Sequence, residues 1–339
     1  LQRYKAPLII DEIQYAPNLL SYIKMAVDNS EEKGQYWLTG SQQFHMMKNV
    51  TESLAGRVAI IDLKGFSLKE IDNNDQLTFL PTNKFIEEMR NTSKSHDLSD
   101  IYEKIWKGSY PELNINDNLD WETFYKSYLQ TYIERDIKDL NAVKNEMDFL
   151  KFLKVLAART GQMLNYADIS NEVGVSVPTI KSWVSILVSS NIVYLLQPYF
   201  SNLNKRIVKT PKLYFLDTGL CSYLTNWNNA QVLETGAMSG AIFETFVVSE
   251  IIKSYVHNIK EPNTYYYRDK DKKEIDVIIE NNGKLYPIEI KKSANPDKNM
   301  IKHFSVIPED RIGDGAIICL IDKDLPISKT VNAIPISYI

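Results

Sequence analysis

The dipeptide Asn282-Gly283 constrains this chain more than any other feature. It separates two alternating runs in KEIDVIIENNGKLYPIEIKKS, residues 273–293. Asn-Gly flanked in this way is the strongest short hairpin signal, because both residues tolerate the positive φ that a two-residue turn demands. Such a turn sets the register: Asn281 faces Lys284, and each outward step keeps the pairing. Asp276 then faces Glu289, and Glu274 faces Lys291. Side chains repeat with a period of two, so all four lie on one face. Opposed Cβ atoms stand about 5 Å apart, and two carboxylates in that position repel. A divalent cation between Asp276 and Glu289 would remove the repulsion, and hard oxygen ligands suit Mg²⁺ or Mn²⁺. Lys291 would reach the same centre and orient or activate a water. The plainer alternative is an exposed hairpin with ordinary cross-strand charge pairs. A three-residue turn would put Asp276 and Glu289 on opposite faces.

A second carboxylate pair stands near the start. In APLIIDEIQ (6–14) an apolar run ends in Asp11-Glu12, as a buried parallel strand ends in a Walker B motif. Asp11 would hold the water shell of Mg²⁺, and Glu12 would polarise the water that attacks a γ-phosphate. PNLLSYIKMAVDN follows with Leu19, Leu20, Ile23 and Val27 near helical spacing, and then QYWLTGSQQ reads as a second strand. Strand, helix and strand make a βαβ unit. Thr39 and Ser41 then lie beside Asp11, at the strand ends where open parallel sheets bind ligands. A polar residue there would sense the γ-phosphate. Yet no GxxxxGK[ST] loop, whose amides and lysine cradle the phosphates, occurs in the 339 residues. A further strand is expected at Val58–Leu63.

Residues 71–120 are less regular, and the polar stretch 81–100 reads as a loop or short helix. WETFYKSYLQTYIERDIKDL then places Trp121, Phe124, Tyr125, Tyr128, Leu129, Tyr132 and Ile133 on one helical face, with Asp120 or Asn118 as the cap. This aromatic stripe reads as core. Residues 149–200 have the pattern of a winged helix-turn-helix: FLKVLAART, NYADISNEVG ended by Gly174, SVPTIKSWVSILVSS capped by Ser176, and NIVYLLQPYF as the wing. Thr179, Lys181 and Ser182 would begin the helix that enters a DNA groove. A packing module without groove contact fits the same pattern, since that helix start holds one basic residue. Lys205, Arg206, Lys209 and Lys212 form the best local phosphate-binding candidate, or a solvated linker.

Composition narrows the classes. The net charge of −4 offers no bulk attraction to nucleic acid, so any such contact must be local. Two distant cysteines, Cys221 and Cys319, exclude a disulfide framework and suit a reducing, cytoplasmic setting. With four scattered histidines they make no zinc site. No apolar run approaches the roughly 18 residues of a membrane span, and no signal peptide is visible. The chain opens at Leu1, which reads as a piece of something longer.

Taken in order, PLIIDEIQ, YWLTGSQQF, ESLAGRV, GSYPEL, YLQTYIERDIKDL, KLYFLDTGL, GAIFETFVVSEI and YPIEIKKS resemble the prokaryotic AAA-type ATPases fused to a C-terminal domain of uncharacterised function. The Asp…Glu-x-Lys pattern of the hairpin resembles the PD-(D/E)xK nuclease fold, which adds an acid from an upstream helix; Glu244 in GAIFETFVVSEIIKSY (240–255) is the candidate for that acid, with a solvated or capping glutamate as the alternative. The resemblance implies a multidomain α/β chain. Residues 1–70 would be part of a P-loop ATPase parallel sheet, and 71–140 a helical lid or linker. Residues 141–200 would be the winged helix-turn-helix, and 201–339 a restriction-endonuclease-like domain. It implies ATP with Mg²⁺ at Asp11, Glu12 and Thr39 or Ser41, and a phosphate loop upstream of Leu1; a degenerate ATPase is the alternative. Arg57 would add positive charge toward the γ-phosphate or form a structural ion pair. Arg135-Asp136 would be an ion pair between helices or between domains. The functions implied are an ATPase governing a metal-dependent DNA nuclease, a non-catalytic DNA-binding or signalling switch, and a protein-interaction ATPase without nucleic acid. A homo-oligomer or protein partner fits each.

Overall fold

The computed structural model describes residues 4–40, 53–132, 145–200 and 210–339. Ser41, Arg135-Asp136, Lys205, Arg206 and Lys209 lie outside the described residues. Contacts divide the chain into a smaller unit, Leu1–Ile61 with Ser185–Ser190, and a larger unit holding the rest.

In the smaller unit β1 (Leu8–Ile10) pairs in parallel with β2 (Tyr36–Leu38), in the register Leu8↔Tyr36 to Ile10↔Leu38. The helix Leu19–Asp28 connects them, as the apolar spacing predicts. Its Leu20 and Ile23 are buried with Ile13 and Leu54, and Ile10, Tyr36 and Leu38 pack against that cluster. The period of two sends Ile9 and Trp37 to the opposite face, where they are 70% and 56% exposed. The strand expected at residues 58–63 is absent: these residues carry no regular structure, and Val58, Ile60, Ile61 and Leu63 are exposed. An apolar run becomes a strand only where neighbours supply ladder and packing.

The larger unit corrects the reading of 71–120, which is mostly helical. Helices span Asn83–Thr92, Leu98–Lys107 and Pro111–Ile115. Thr82 caps the first by accepting the Phe85 amide, and Asp97 caps the second by accepting that of Asp100. Phe85, Ile86 and Met89 and then Ile101, Tyr102 and Ile105 are the buried faces. The helix Trp121–Tyr132 starts at Asp120, which accepts the Thr123 amide at 2.8 Å. Its Tyr125 is fully buried, the core role expected of the stripe.

Two of the short motifs meet at buried Asp217. Its carboxylate accepts the Ser109 amide (2.6 Å) and hydroxyl (2.7 Å), the Tyr125 hydroxyl (2.7 Å) and the Leu220 amide (2.6 Å). Gly108 lies beside it at φ +87°, and a Cβ there would stand 2.2 Å from the Tyr125 hydroxyl. GSYPEL and KLYFLDTGL are therefore two halves of one buried polar joint.

Helices Glu146–Ala157, Tyr166–Val173 and Val177–Ser189 follow. Asn165 caps the second of them, and Gly174 ends it at φ +91°, where a left-handed residue closes the last turn. Ser176 accepts the Thr179 amide at 3.3 Å. The strand expected as a wing, β3 (Val193–Pro198), instead joins an eight-stranded sheet. It pairs antiparallel with β4 (Lys212–Phe215) and parallel with β5 (Thr264–Arg268). The expected boundary at residue 200 thus falls within a single sheet. After β5 come β6 (Glu274–Asn281), β7 (Lys284–Ile290), β8 (Gly315–Cys319), β9 (Leu325–Pro326) and β10 (Val331–Pro335). The spatial order is β4-β3-β5-β6-β7-β8-β10-β9.

The β6–β7 hairpin has the register the turn demands, from Asn281↔Lys284 to Val277↔Ile288. Asn282 and Gly283 have φ +49° and +77°. The long helix Ser239–Val256 is buried along most of its length. Within it Lys253 pairs with Glu250 at 2.5 Å and donates to the Phe66 carbonyl at 2.8 Å, while Glu250 accepts the Leu68 amide at 2.8 Å. The charges are thereby satisfied, and residues 66–68 are tied to the helix.

Candidate functional site

The end of the β6–β7 hairpin carries the denser of two carboxylate centres. The ladder's last pair is Val277↔Ile288. One step beyond it, Asp276 accepts the Ile290 amide on Oδ2 at 2.8 Å. Lys291 reaches both strands: its ammonium lies 2.6 Å from Glu289 Oε1 and 3.6 Å from Asp276 Oδ2. The register therefore brings Asp276, Glu289 and Lys291 together. Glu274 does not meet Lys291. It pairs with Arg268 of β5 at 3.2 Å and with Lys212 of β4 at 2.6 Å.

Glu244, on the second turn of the helix Ser239–Val256, adds a third carboxylate nearby. Its Oε1 accepts the Tyr214 hydroxyl at 2.6 Å and pairs with Lys212 at 3.2 Å. Lys212 corrects the sequence reading. It is buried, 4% exposed, and held by two glutamates, so it is no part of a basic surface stretch. Its membership of the carboxylate centre, with Tyr214, left no local signal. Both residues arrive because β4 pairs with β3, whose other neighbour β5 lies about fifty residues further along the chain.

Burial governs the electrostatics. Asp276 and Glu289 are 7% and 8% exposed. Burial, with the neighbouring Asp276 charge added, pushes the Glu289 carboxyl up to about 7 against the pull of Lys291. Burial also raises Glu244; Lys212 opposes this and Asp276 reinforces it. Burial works against the charge on Lys212 and on Lys291, but the carboxylates around each outweigh it and hold both above the ordinary lysine range.

One pattern recurs at all three acids. Each has one oxygen held by the protein: Glu244 Oε1, Asp276 Oδ2 and Glu289 Oε1. The other oxygen of each accepts no donor among the described residues. No group of three or more His, Cys, Asp and Glu among the described residues is arranged to hold a metal ion by itself.

The second centre lies in the smaller unit. Thr39 follows β2 and donates its hydroxyl to Asp11 Oδ1, so the two residues expected together do meet. Backbone bonds fix the approach: the Thr39 amide donates to the Ile10 carbonyl (3.0 Å), and the Ile13 amide to that of Thr39 (3.0 Å). Glu12 sits at φ +50° and accepts from the Gln14 side-chain amide. Asp11 is exposed. Arg57 pairs with Asp28 at the end of the helix Leu19–Asp28, the ion-pair alternative of its two readings.

Of the groove candidates, Lys181 and Ser182 are exposed at the start of their helix and Thr179 half-buried. The Lys181 ammonium lies 5.6 Å from the Tyr166 ring centre. No helix among the described residues is long and apolar enough to cross a membrane.

Three family models match successive parts of the chain. Residues 1–72 match an AAA domain, 98–231 a domain of unknown function (DUF8612), and 239–339 another (DUF4143). The first and last of these matches support an AAA-type, ATPase-like protein with a C-terminal domain of unknown function. An uncharacterized protein of Mycobacterium tuberculosis (strain ATCC 25618 / H37Rv) and one of Mycobacterium bovis (strain ATCC BAA-935 / AF2122/97) are similar along almost all of it. Each is 25% identical over 335 residues, which cover 98% of this chain and 69% of the relative.

Proposed function

We propose that this chain couples an AAA-type nucleotide site to a divalent-cation-dependent phosphodiesterase site that acts on DNA. The observation that supports the reading is the trio of half-satisfied carboxylates beside a lysine at the hairpin end. Mg²⁺ keeps several waters and takes one or two carboxylates plus substrate phosphate oxygens, so Asp276 and Glu289 suffice as protein ligands. When bound, such a cation polarises a phosphoryl oxygen and makes a water acidic. Asp276, anchored by the Ile290 amide, fixes one side of the centre. Glu289 supplies the other when ionised. Lys291 moves from its carboxylate partners to a water or phosphate oxygen, and Glu244 accepts the proton of the attacking water. Thr179 and Lys181 would lie against the DNA backbone or base edges, with Lys205, Arg206 and Lys209 on phosphates. At the other end Asp11, Glu12 and Thr39 take the Mg²⁺, water and γ-phosphate roles, with ATP cradled by a loop from outside these 339 residues.

The test is cleavage of linear, circular and single-stranded DNA with Mg²⁺ or Mn²⁺, beside Asp276→Ala. Cleavage that disappears in the variant is the expected result. Cleavage unaffected by the substitution would overturn the assignment of the site. One observation favours a second reading, a DNA-binding switch without catalysis: Lys291 already bridges Asp276 and Glu289 and offsets part of their charge without a cation. Salt-dependent DNA binding with no cleavage, also in a longer chain supplied with ATP, would select it.

A further inference from the structure

The region matching one family model supplies part of a site whose acids lie in the region matching another. Glu244, Asp276 and Glu289 fall within residues 239–339, whereas Lys212 and Tyr214 fall within 98–231. They converge because β4 enters the sheet through β3, whose other neighbour is β5. The loop after the helix Glu146–Ala157 clamps β4 from its far side. The Gly161 amide donates to the Leu213 carbonyl at 2.7 Å, and the Leu213 amide to that of Gln162 at 2.9 Å. The Thr160 and Thr245 hydroxyls bond at 2.8 Å, which joins this loop to the helix turn that follows Glu244.

We infer that Lys212 is a positioning residue for Glu244, and that Tyr214 assists it. Both act on the same oxygen. The Lys212 ammonium and the Tyr214 hydroxyl each engage Oε1, and Oε2 accepts no donor among the described residues. A carboxylate held at one oxygen has a fixed orientation for the other, and a proton acceptor must be within hydrogen-bond reach of its water. Lys212 cannot turn away to serve elsewhere: it is 4% exposed, and Glu274 holds it from the other side at 2.6 Å. Arg268 in turn holds Glu274 at 3.2 Å. The chain Arg268–Glu274–Lys212–Glu244 alternates in sign across β5, β6, β4 and the helix, and satisfies its buried charges pairwise. Lys212 contacts neither Asp276 nor Glu289 directly. It acts on Asp276 only through space, whereas it bonds Glu244 directly, so its larger effect should run through Glu244.

The inference rests on the proposed phosphodiesterase reading, and the experiment separates the two. Mn²⁺ affinity is measured by electron paramagnetic resonance, and DNA cleavage under single turnover, for the wild-type chain, Asp276→Ala, Lys212→Met, Lys212→Arg, Tyr214→Phe, Glu244→Gln and the double variant Lys212→Met/Glu244→Gln. Glu244→Gln and Lys212→Met should each slow cleavage by about 100-fold, the size of one general acid–base contribution. The double variant should be no slower than Glu244→Gln alone, because effects that act through one group do not add. Lys212→Arg should recover most of the rate. Lys212→Met should bind Mn²⁺ within about threefold of wild type, a small change on the scale of binding energies. If Lys212→Met does not fold, Tyr214→Phe, which removes one hydroxyl from Oε1, should still slow cleavage, again without adding to Glu244→Gln. Losses that multiply, or Mn²⁺ binding abolished in Lys212→Met as in Asp276→Ala, would overturn the positioning role. A wild-type chain that neither binds Mn²⁺ nor cleaves DNA would overturn the phosphodiesterase reading, and the inference with it.

Discussion

Asp11, just past the end of its strand, meets Thr39, and Asp276, near the start of its strand, meets Lys291; each is an acid touched by a polar side chain. Their surroundings differ. Asp11 is exposed at the end of a two-stranded parallel unit whose outer face shows Ile9 and Trp37 to water. Asp276 is 7% exposed, in a strand with hydrogen-bonded neighbours on both sides. Burial converts a pair of carboxylates into stored electrostatic cost; exposure leaves them to the solvent. The same holds for ion pairs. Lys253–Glu250 is enclosed, while Arg57–Asp28 lies in water.

The sharpest way to break this contrast is Lys253→Met. It leaves Glu250 charged and buried without its partner, and should cost about 3–5 kcal/mol in urea unfolding. A loss near zero would mean that water reaches the pair and that the larger unit is not the drier one.

Glu289→Gln should act in the other direction and depend on pH. The folded carboxyl is raised to about 7, above its unfolded value. Below about pH 4 both states hold the proton and no penalty arises. As pH rises from there through 7 the unfolded chain releases the proton first, so folding loses stability, and above 7 the loss is complete. Metal-free Glu289→Gln should therefore exceed wild type by about 2 kcal/mol at pH 8 and match it at pH 4. A difference independent of pH would show that the carboxyl is not strained by its surroundings.

Arg57→Ala should have the smallest effect: no measurable change in the unfolding midpoint at 0.15 M salt, since exposed pairs are screened. A clear drop would move Arg57 from the solvent into a structural role. Thr39→Val belongs beside it, with an unchanged midpoint but loss of ATP hydrolysis in a chain long enough to include a phosphate loop.

The hairpin shows what is legible in one dimension. Asn282-Gly283 specifies a turn from two residues, and the register follows by counting, because pairing across a hairpin is local. Asp276, Glu289 and Lys291 could be grouped from that count. Thr39 could be placed beside Asp11 because a βαβ unit is also a local object. Glu244 came from a resemblance to a known fold; an isolated glutamate on a helix has no signature of its own. The helices at 83–107 were masked by the polar residues between their apolar positions; the caps at Thr82 and Asp97 and the helical spacing of Phe85, Ile86, Met89 and of Ile101, Tyr102, Ile105 mark them in retrospect. Val58–Leu63 failed as a strand for the converse reason: strand propensity describes a fit to neighbours, and none is present among the described residues.

What the sequence determined by itself was therefore the set of short-range objects: the turn and its register, the strand–helix–strand unit, the caps, and the Gly174 helix stop. The tertiary structure alone decided that β3 serves a shared sheet, that Ser109, Tyr125 and Asp217 close one buried joint, and that Lys212 turns inward to Glu244. Local backbone geometry is specified by a few adjacent residues. The fate of a charged side chain depends on what pairing between strands brings against it, and for Lys212 that was burial between two glutamates.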